Sequence, residues 1–514
     1  MPASPPTPQQ AAFLAHITHG AGHSALVARA GCGKTSTILM AVDAIRSAQP
    51  RAEVLVCAFN KAIADEVKAK LEKAGHRDWR LTSASTLHSL GYGLVRFVFH
   101  NPDIDDKKVR RLVDARNEPI CEHYGSQVEQ LVALAKQAGV GFFPGLPVAN
   151  VQVWHDLADH FDVNGLDDTQ DMEAIVEAAQ VVYRASLAQT DVIDYDDMIL
   201  FPLIKNLRVK FGKDHIFLDE AQDLSRTRQA LARKFLRPGG RMHVVGDDRQ
   251  AIYGFTGADA SALPNLISAL SATVLPLSVT WRCPKAVVAL AQSLVPDIEA
   301  APGAPEGEVS AMRLPATPPK PGEADPEAEW LAQLTTQDAI LCRNMMPLVS
   351  LAYKLIRSGK PCKVEGRNIG EGLIALARRW KVKSLDALVT RLETYQDREV
   401  QKAMAKLNEA KAEEVQDRVG TMMEIINACR LQGKTLVTDV VAFIENLFAD
   451  GATNVTVLAT YHRSKGREWP RVYLWEHDTR CPSKMARQPW QRAQEENLAY
   501  VAFTRAQQAL VFVS

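Results

Sequence analysis

Ala28-Arg29-Ala30-Gly31-Cys32-Gly33-Lys34-Thr35 is the stretch that decides how this 514-residue chain is read. The apolar run Ala25-Leu26-Val27 before it suits a buried strand, and Ile38, Leu39, Val42 and Ile45 after it recur at helical spacing. Strand, glycine-rich turn, Gly-Lys-Thr and helix, in that order, describe a phosphate-binding loop. Gly31 and Gly33 let the backbone turn so that its amides face an anion. The new helix adds unpaired N–H groups and the positive end of its dipole. Lys34 can reach terminal phosphates, and the Thr35 hydroxyl can hold magnesium. Ala28 stands where the usual pattern has its first glycine.

Outward from the loop, Gln10 lies on a helical pattern (Phe13, Leu14, Ile17) and carries an amide able to read an adenine edge. Downstream, Val54–Ala58 reads as a strand leading into Phe59-Asn60-Lys61 and a helix. Leu81–Ala84 reads as another strand, followed by Ser85-Thr86-Leu87-His88. Residues 92–189 then change to helical patterning with no clear strand. The cations Lys107, Lys108, Arg110 and Arg111 in that stretch read as a solvated helix face. Strand patterning returns at His215–Leu218, which runs into Asp219-Glu220-Ala221-Gln222-Asp223. An acidic pair at the carboxyl end of a hydrophobic strand is where an open α/β sheet meets its ligand. Asp219 can hold magnesium, and Glu220 can orient or deprotonate water. A further strand, Met242–Val245, ends at Gly246-Asp247-Asp248-Arg249-Gln250.

A second group of strand patterns follows at Ala339–Cys342, Val455–Leu458, Val472–Leu474 and Leu510–Val513, predicting a second parallel sheet. Residues 297–327, rich in Pro, Ala, Gly and Glu, predict a loose surface segment, and residues 371–451 a second helical insertion. Within that insertion, Arg378-Arg379-Trp380-Lys381-Val382-Lys383 fits either a nucleic-acid backbone or a plain surface helix.

Composition narrows the class. Apolar content of 46% with 23% charged residues is that of an ordinary soluble protein. Lys+Arg equals Asp+Glu, 60 each, so any basic surface must be local. No stretch reads as a secretory signal or membrane span. Eight scattered cysteines without a Cys-x-x-Cys pair disfavour a zinc site or disulfide framework and suit a reducing cytoplasm. Cys32 has two readings: a small residue filling a tight turn, or a solvent-open thiol made reactive by Lys34 and the helix start.

A phosphate loop followed by Asp-Glu-Ala-Gln-Asp and then by Gly246-Asp247-Asp248-Arg249-Gln250-Ala251-Ile252-Tyr253-Gly254-Phe255 resembles the UvrD/Rep-like superfamily 1 DNA helicases. The resemblance extends to Thr280-Trp281-Arg282, to Thr460–Trp469 and to Tyr500–Ala506, and its wording is nearest the branch containing the F-box DNA helicases. It implies an α/β fold of two RecA-like parallel-sheet motor domains with two mainly helical inserted domains. The expected division is residues 1–91 and 190–275 for the first motor, 92–189 for its insertion, 276–370 and 452–514 for the second motor, and 371–451 for a compact second insertion.

The resemblance also implies roles. ATP with Mg2+ would be held by Gln10, Ala30, Gly31, Cys32, Gly33, Lys34, Thr35 and Ser36, with Trp281 stacking on adenine and Glu468 at the ribose. Thr35 and Asp219 would serve the metal. Glu220 would activate water, Gln250 would sense the γ-phosphate, and Arg282 and Arg505 would reach the same phosphate from the second motor. Phe59, Asn60, His88, Tyr253, Phe255 and His462 would meet single-stranded DNA. Two departures stand out. Trp281 replaces the usual tyrosine, and the aromatic of Ala58-Phe59-Asn60-Lys61 is displaced by one position, which weakens a stacking role for Phe59.

The expected activity is an ATP-driven helicase or translocase on single strands and single/double-strand junctions, moving 3′ to 5′, in DNA repair, recombination or replication. Its rivals are a translocase that strips proteins without unwinding, which the short second insertion suggests, and a nucleotide-gated DNA-binding module with little turnover.

Overall fold

The computed structural model describes residues 5–514 except 162, 164–168, 255–260, 316–324, 359, 406–408, 449–453, 485 and 487. The chain divides into two compact units, Met1–Ser278 and Val279–Ser514.

The first unit contains β1 (Ser24–Ala28), β2 (Val54–Ala58), β3 (Thr82–Thr86), β4 (Asp103–Ile104), β5 (Val192–Ile193), β6 (Lys213–Leu218), β7 (Leu236–Gly246) and β8 (Thr273–Leu277). Six of them form one parallel sheet in the order β3-β2-β6-β7-β1-β8. β1 and β2 are buried along nearly their whole length because helices cover both faces. One cover is built on Phe13, Ile38, Val42 and Val67, the other on Leu87, Ile199, Leu231 and Leu266. The helix Pro8–His19 opens with a capping box, in which the Thr7 hydroxyl accepts from the Gln10 N–H while the Gln10 amide oxygen accepts from the Thr7 N–H.

Between β3 and β6 the chain makes a helical insertion with its own core around Trp154, Tyr183, Leu131 and Val132. Contrary to the reading of 92–189 as strandless, Asp103–Ile104 pairs in parallel with Val192–Ile193. A two-residue strand leaves no periodicity to read. Lys108 also departs from expectation. It is buried, and its ammonium donates to Asp197 at 2.7 Å and to the carbonyls of Ser186 and Gln189. Lys136, equally buried, bridges Asp194 at 2.5 Å and Asp197 at 2.7 Å. Two ammonium groups and two carboxylates thus meet in the interior, close enough to neutralise one another.

The second unit contains β9 (Val279–Thr280), β10 (Glu299–Ala300), β11 (Glu308–Met312), β12 (Asp338–Cys342), β13 (Cys362–Val364), β14 (Thr456–Thr460), β15 (Trp469–Trp475) and β16 (Ala506–Val513). A six-stranded parallel sheet runs β11-β16-β15-β12-β14-β13. β10 and β11 fall inside the segment expected to be loose, because β11 pairs in register with β16 along Glu308–Met312. Four helices from Arg367 to Leu447 lie between β13 and β14 and pack around Leu388, Val419, Ile425 and Ile444. The two parallel sheets, each interrupted by a helical insertion, give the α/β, two-motor, RecA-like architecture. No helix among the described residues is long and apolar enough to cross a membrane.

Candidate functional site

Three adjacent parallel strands, β6, β7 and β1, deliver the polar cluster of the first unit at their carboxyl ends. After β1, Gly31 (φ 73°) and Gly33 (φ 81°) adopt left-handed backbone, which glycine reaches without strain. The helix Lys34–Ala48 then starts with no side-chain cap. Its first-turn amides are therefore available to an anion. Thr35 and Ser36 lie in that first turn, and Ala30 is buried behind the loop.

After β6 comes Asp219, buried, and then Glu220 in left-handed backbone (φ 49°). A non-glycine residue there carries strain on the order of 1–3 kcal/mol, as functional positions often do. The Lys34 ammonium lies 2.8 Å from the Glu220 carboxylate. Burial alone would lower the Lys34 pKa, but Glu220, Asp219 and Asp247 outweigh it and raise it, so the lysine stays charged. Burial and the neighbouring Glu220 charge push the Asp219 carboxyl up to about 7, against the pull of Lys34. A divalent cation would offset that cost.

After β7, Asp247 is buried and tied from several sides. Its carboxylate accepts from Gln250 Nε2 at 2.6 Å and from Arg29 Nη1 at 2.9 Å, and its N–H donates to Gln222 Oε1 at 3.0 Å. Gln222 donates in turn to Glu220 Oε2 at 2.5 Å. Gly246 is needed for this crossing, since a Cβ there would meet Gln222 Oε1 at 2.5 Å. Arg29 also bonds Asp248 at 2.7 Å. Arg29, Gln222 and Asp247 lie within the quoted motifs, but their mutual contacts join separate motifs. The signal was an arginine in the phosphate loop facing an Asp-Asp pair on the strand beside it.

The residues present fit a magnesium-bound nucleoside triphosphate. The loop amides, Lys34, the Thr35 hydroxyl and Asp219 share one edge of the sheet. Among the described residues no cluster of three or more His, Cys, Asp or Glu side chains could hold a metal by itself. Gln10 donates from its amide to Thr37 Oγ1 at 3.0 Å, and its Nε2 is 3.7 Å from where a Gly33 Cβ would sit. Gln10, expected from the resemblance to read an adenine edge, stands beside the loop, with its amide engaged by Thr7 and Thr37.

The reading of Cys32 as an open thiol fails. Cys32 is 1% exposed and packs into the core with Phe13, Ile38 and Val56. Its sulfur is 3.8 Å from the Ala30 carbonyl oxygen. Gly31 and Gly33 on either side turn the backbone, and the side chain between them points inward.

Among the strand-contact candidates, Phe59 stacks on Tyr253 with centroids 5.9 Å apart and planes 12° apart, so the displaced aromatic still reaches the third motif. Asn60 caps the following helix, its Oδ1 accepting from the Ile63 N–H at 2.9 Å. His88 meets the exposed Tyr195 edge-on at 6.4 Å, and burial with Arg228 nearby holds its pKa down at about 4. Phe255 lies outside the described residues.

In the second unit, Trp281 is 60% exposed. Arg282 pairs with Glu468 and donates to the Thr504 carbonyl at 3.3 Å. Glu468 also accepts from Gln507 at 2.9 Å. Arg505 is buried, with its guanidinium on the carbonyls of Val501 (2.7 Å) and Arg467 (3.1 Å) and on Thr504 Oγ1 (3.0 Å). Burial and Arg282 lower its pKa to about 9, still charged at neutral pH. His462 is half-buried on the short helix after β14, and burial brings its pKa down to about 3.

Residues 7–270 match the UvrD/REP helicase N-terminal domain, and residues 367–514 match the UvrD-like helicase C-terminal domain. Similar curated proteins include the ATP-dependent DNA helicase srs2 of Schizosaccharomyces pombe, 24% identical over 394 residues that cover 67% of this chain and 42% of that protein. The ATP-dependent DNA helicase Rep of Escherichia coli is 23% identical over 254 residues, covering 46% of this chain and 35% of its own length. F-box DNA helicase protein 1 of S. pombe is 27% identical over 256 residues, 45% of this chain and 26% of that protein. In each case the match spans less than half of the relative. With the first family domain covering more than half of the sequence, and the phosphate loop, acidic pair and third motif gathered at one sheet edge, the chain belongs to the UvrD/Rep helicase family.

Proposed function

We propose that this chain is an ATP-driven DNA helicase that translocates on single strands in the 3′ to 5′ direction and separates duplex at junctions. The observation that carries the chemistry is the Lys34–Glu220 pair beside Asp219 and Asp247. Lys34 exchanges Glu220 for phosphate oxygens when ATP enters, which frees the Glu220 carboxylate to orient water. Gln222 keeps that carboxylate in place. Mg2+, held by Thr35 and Asp219, would neutralise phosphate charge. The family resemblance assigns Trp281, Arg282, Glu468 and Arg505 to the same nucleotide. Arginine suits such a role because its planar fork matches phosphate oxygens. Phe59 and Tyr253 are the ring pair offered to bases, and stacking tolerates any sequence.

The test is ATP hydrolysis by the wild type and Lys34→Ala, with and without single-stranded DNA, followed by unwinding of duplexes carrying a 3′ or a 5′ tail. Stimulation by DNA, loss of turnover in the variant and unwinding from the 3′ tail are expected. Hydrolysis without unwinding, together with displacement of a bound protein, selects the protein-stripping translocase. Negligible turnover in the wild type selects the binding module.

A further inference from the structure

The helix Arg226–Lys234 has two faces. Thr227, Leu231 and Ala232 are buried. Arg226, Gln229, Ala230 and Arg233, spaced i, i+3, i+4 and i+7, form the other face and one wall of a cleft of about 850 Å³ in the first unit. The lining also includes Phe142, Phe143 and Phe161 from the helical insertion. Nine of the fifteen wall residues are apolar and none is Asp or Glu, so the cleft selects for apolar groups and against cations.

The wall is built rather than incidental. Gly139, in left-handed backbone (φ 81°), turns the chain so tightly that a Cβ there would meet the Phe143 ring at 2.7 Å. Phe142 packs edge-on against Phe143 at 4.8 Å, and the Arg226 guanidinium lies 4.8 Å over the Phe143 ring. Arg226 and Arg233 are exposed, and neither has a carboxylate partner among the described residues. Seven residues apart on one helix, they are separated by about 10 Å of rise. The cleft thus offers an apolar centre between two positive ends. A volume in the range of roughly 300–1,000 Å³ suits a short segment rather than a folded domain. A groove for single strands would instead be basic along its length and present open ring faces. Here Arg226 covers Phe143, and leucines close the walls.

We propose that this cleft docks a short acidic peptide segment of a partner protein, with one or two large apolar side chains between its carboxylates. Arginine is suited to the acidic part and a hydrophobic slot to the anchor.

The probe is a fluorescein-labelled Asp-Asp-Glu-Phe-Leu-Asp peptide titrated with the full chain and followed by anisotropy. Saturable binding is expected. It should weaken at least tenfold in Arg226→Gln/Arg233→Gln, in Phe143→Ala, and for a peptide with Ser in place of Phe and Leu. DNA-stimulated ATP hydrolysis should be unchanged in the double arginine variant, which shows that it is folded and separates this proposal from the helicase reading. Absence of saturation up to about 1 mM peptide, or equal binding by the variants, overturns the proposal. So does displacement of the peptide by an oligothymidylate that the same variants fail to bind, which would assign the cleft to nucleic acid.

Discussion

Asp197→Ala is expected to cost about 3–5 kcal/mol of stability in the first unit, the usual penalty for breaking a buried ion pair from one side. The Asp197 carboxylate is fully buried and accepts from Lys108 at 2.7 Å, from Lys136 at 2.7 Å and from the Asp194 N–H at 3.1 Å. Without it, Lys108 keeps the Ser186 and Gln189 carbonyls and the Phe201 ring at 5.2 Å, and Lys136 keeps Asp194. One uncompensated ammonium then remains in the interior, and the capping box that starts the helix Tyr195–Ile204 is lost as well. Pairing Asp197→Asn with Lys108→Met removes one charge of each sign and should recover about 1–2 kcal/mol relative to Asp197→Asn alone, as coupled neighbours do. Urea unfolding gives the free energies. Hydrogen exchange in the helices Pro119–Ala138 and Tyr195–Ile204 shows whether the loss starts at the cluster. A cost below about 1 kcal/mol, or strictly additive effects in the double variant, would refute the reasoning, because neither is compatible with a desolvated cluster.

Three further outcomes follow. Tyr253→Ala should weaken binding to an oligothymidylate by about 1–3 kcal/mol. Unchanged affinity with a lower melting temperature would make the Phe59–Tyr253 stack a packing feature only. Brief alkylation with mass-spectrometric mapping should label Cys362, the one half-buried cysteine among seven buried ones, ahead of Cys32, with or without Mg-ATP; rapid Cys32 labelling that nucleotide blocks would contradict its burial. Acid should destabilise the first unit. His215, joined to His243 at 3.0 Å, has its pKa lowered by burial to about 4, and burial also holds His243 well below its ordinary value. The unfolded chain therefore binds protons that the native state refuses. Stability is full above about 6.5 and declines toward 4, with about 3 kcal/mol at stake for His215. A His215→Gln variant whose urea midpoint keeps the wild-type dependence on pH over that window would show that the pair does not titrate with unfolding.

Apart from the edge strand β3, the strands that the sequence revealed are interior ones. Val54–Ala58 and Ala339–Cys342 are continuous apolar runs because helices cover both faces of a parallel sheet. The strands it hid lie at edges. β8 is partly exposed and contains Pro276, β11 reads Glu-Val-Ser-Ala-Met, and β13 has three residues. An edge strand needs neither two apolar faces nor a full set of donors, so proline and polar residues are admitted and the signal fades. The site shows a similar division. Lys34, Asp219 and Glu220 were legible because phosphate chemistry fixes both residue type and spacing. The Arg29–Asp247–Gln222 linkage joins segments on three separate strands, and no local pattern records it. Lys108 misled for the same reason, since its partner is 89 positions away.

The small pairing of β4 with β5 bears on the order in which the molecule assembles. β2 must find β6 across the whole insertion, with Val54 opposite His215. Contacts so remote in sequence are slow, because chain closure is costly until other contacts reward it. Asp103–Ile104 beside Val192–Ile193 fastens the insertion at its neck, and its helices close on a core that needs nothing from the sheet. Once that loop is tied, β3 and β6 are separated by two short connections instead of more than a hundred free residues. Pulse-labelled refolding should find the insertion's amides protected before those of β2 and β6, so that the motor sheet is completed on a scaffold already folded.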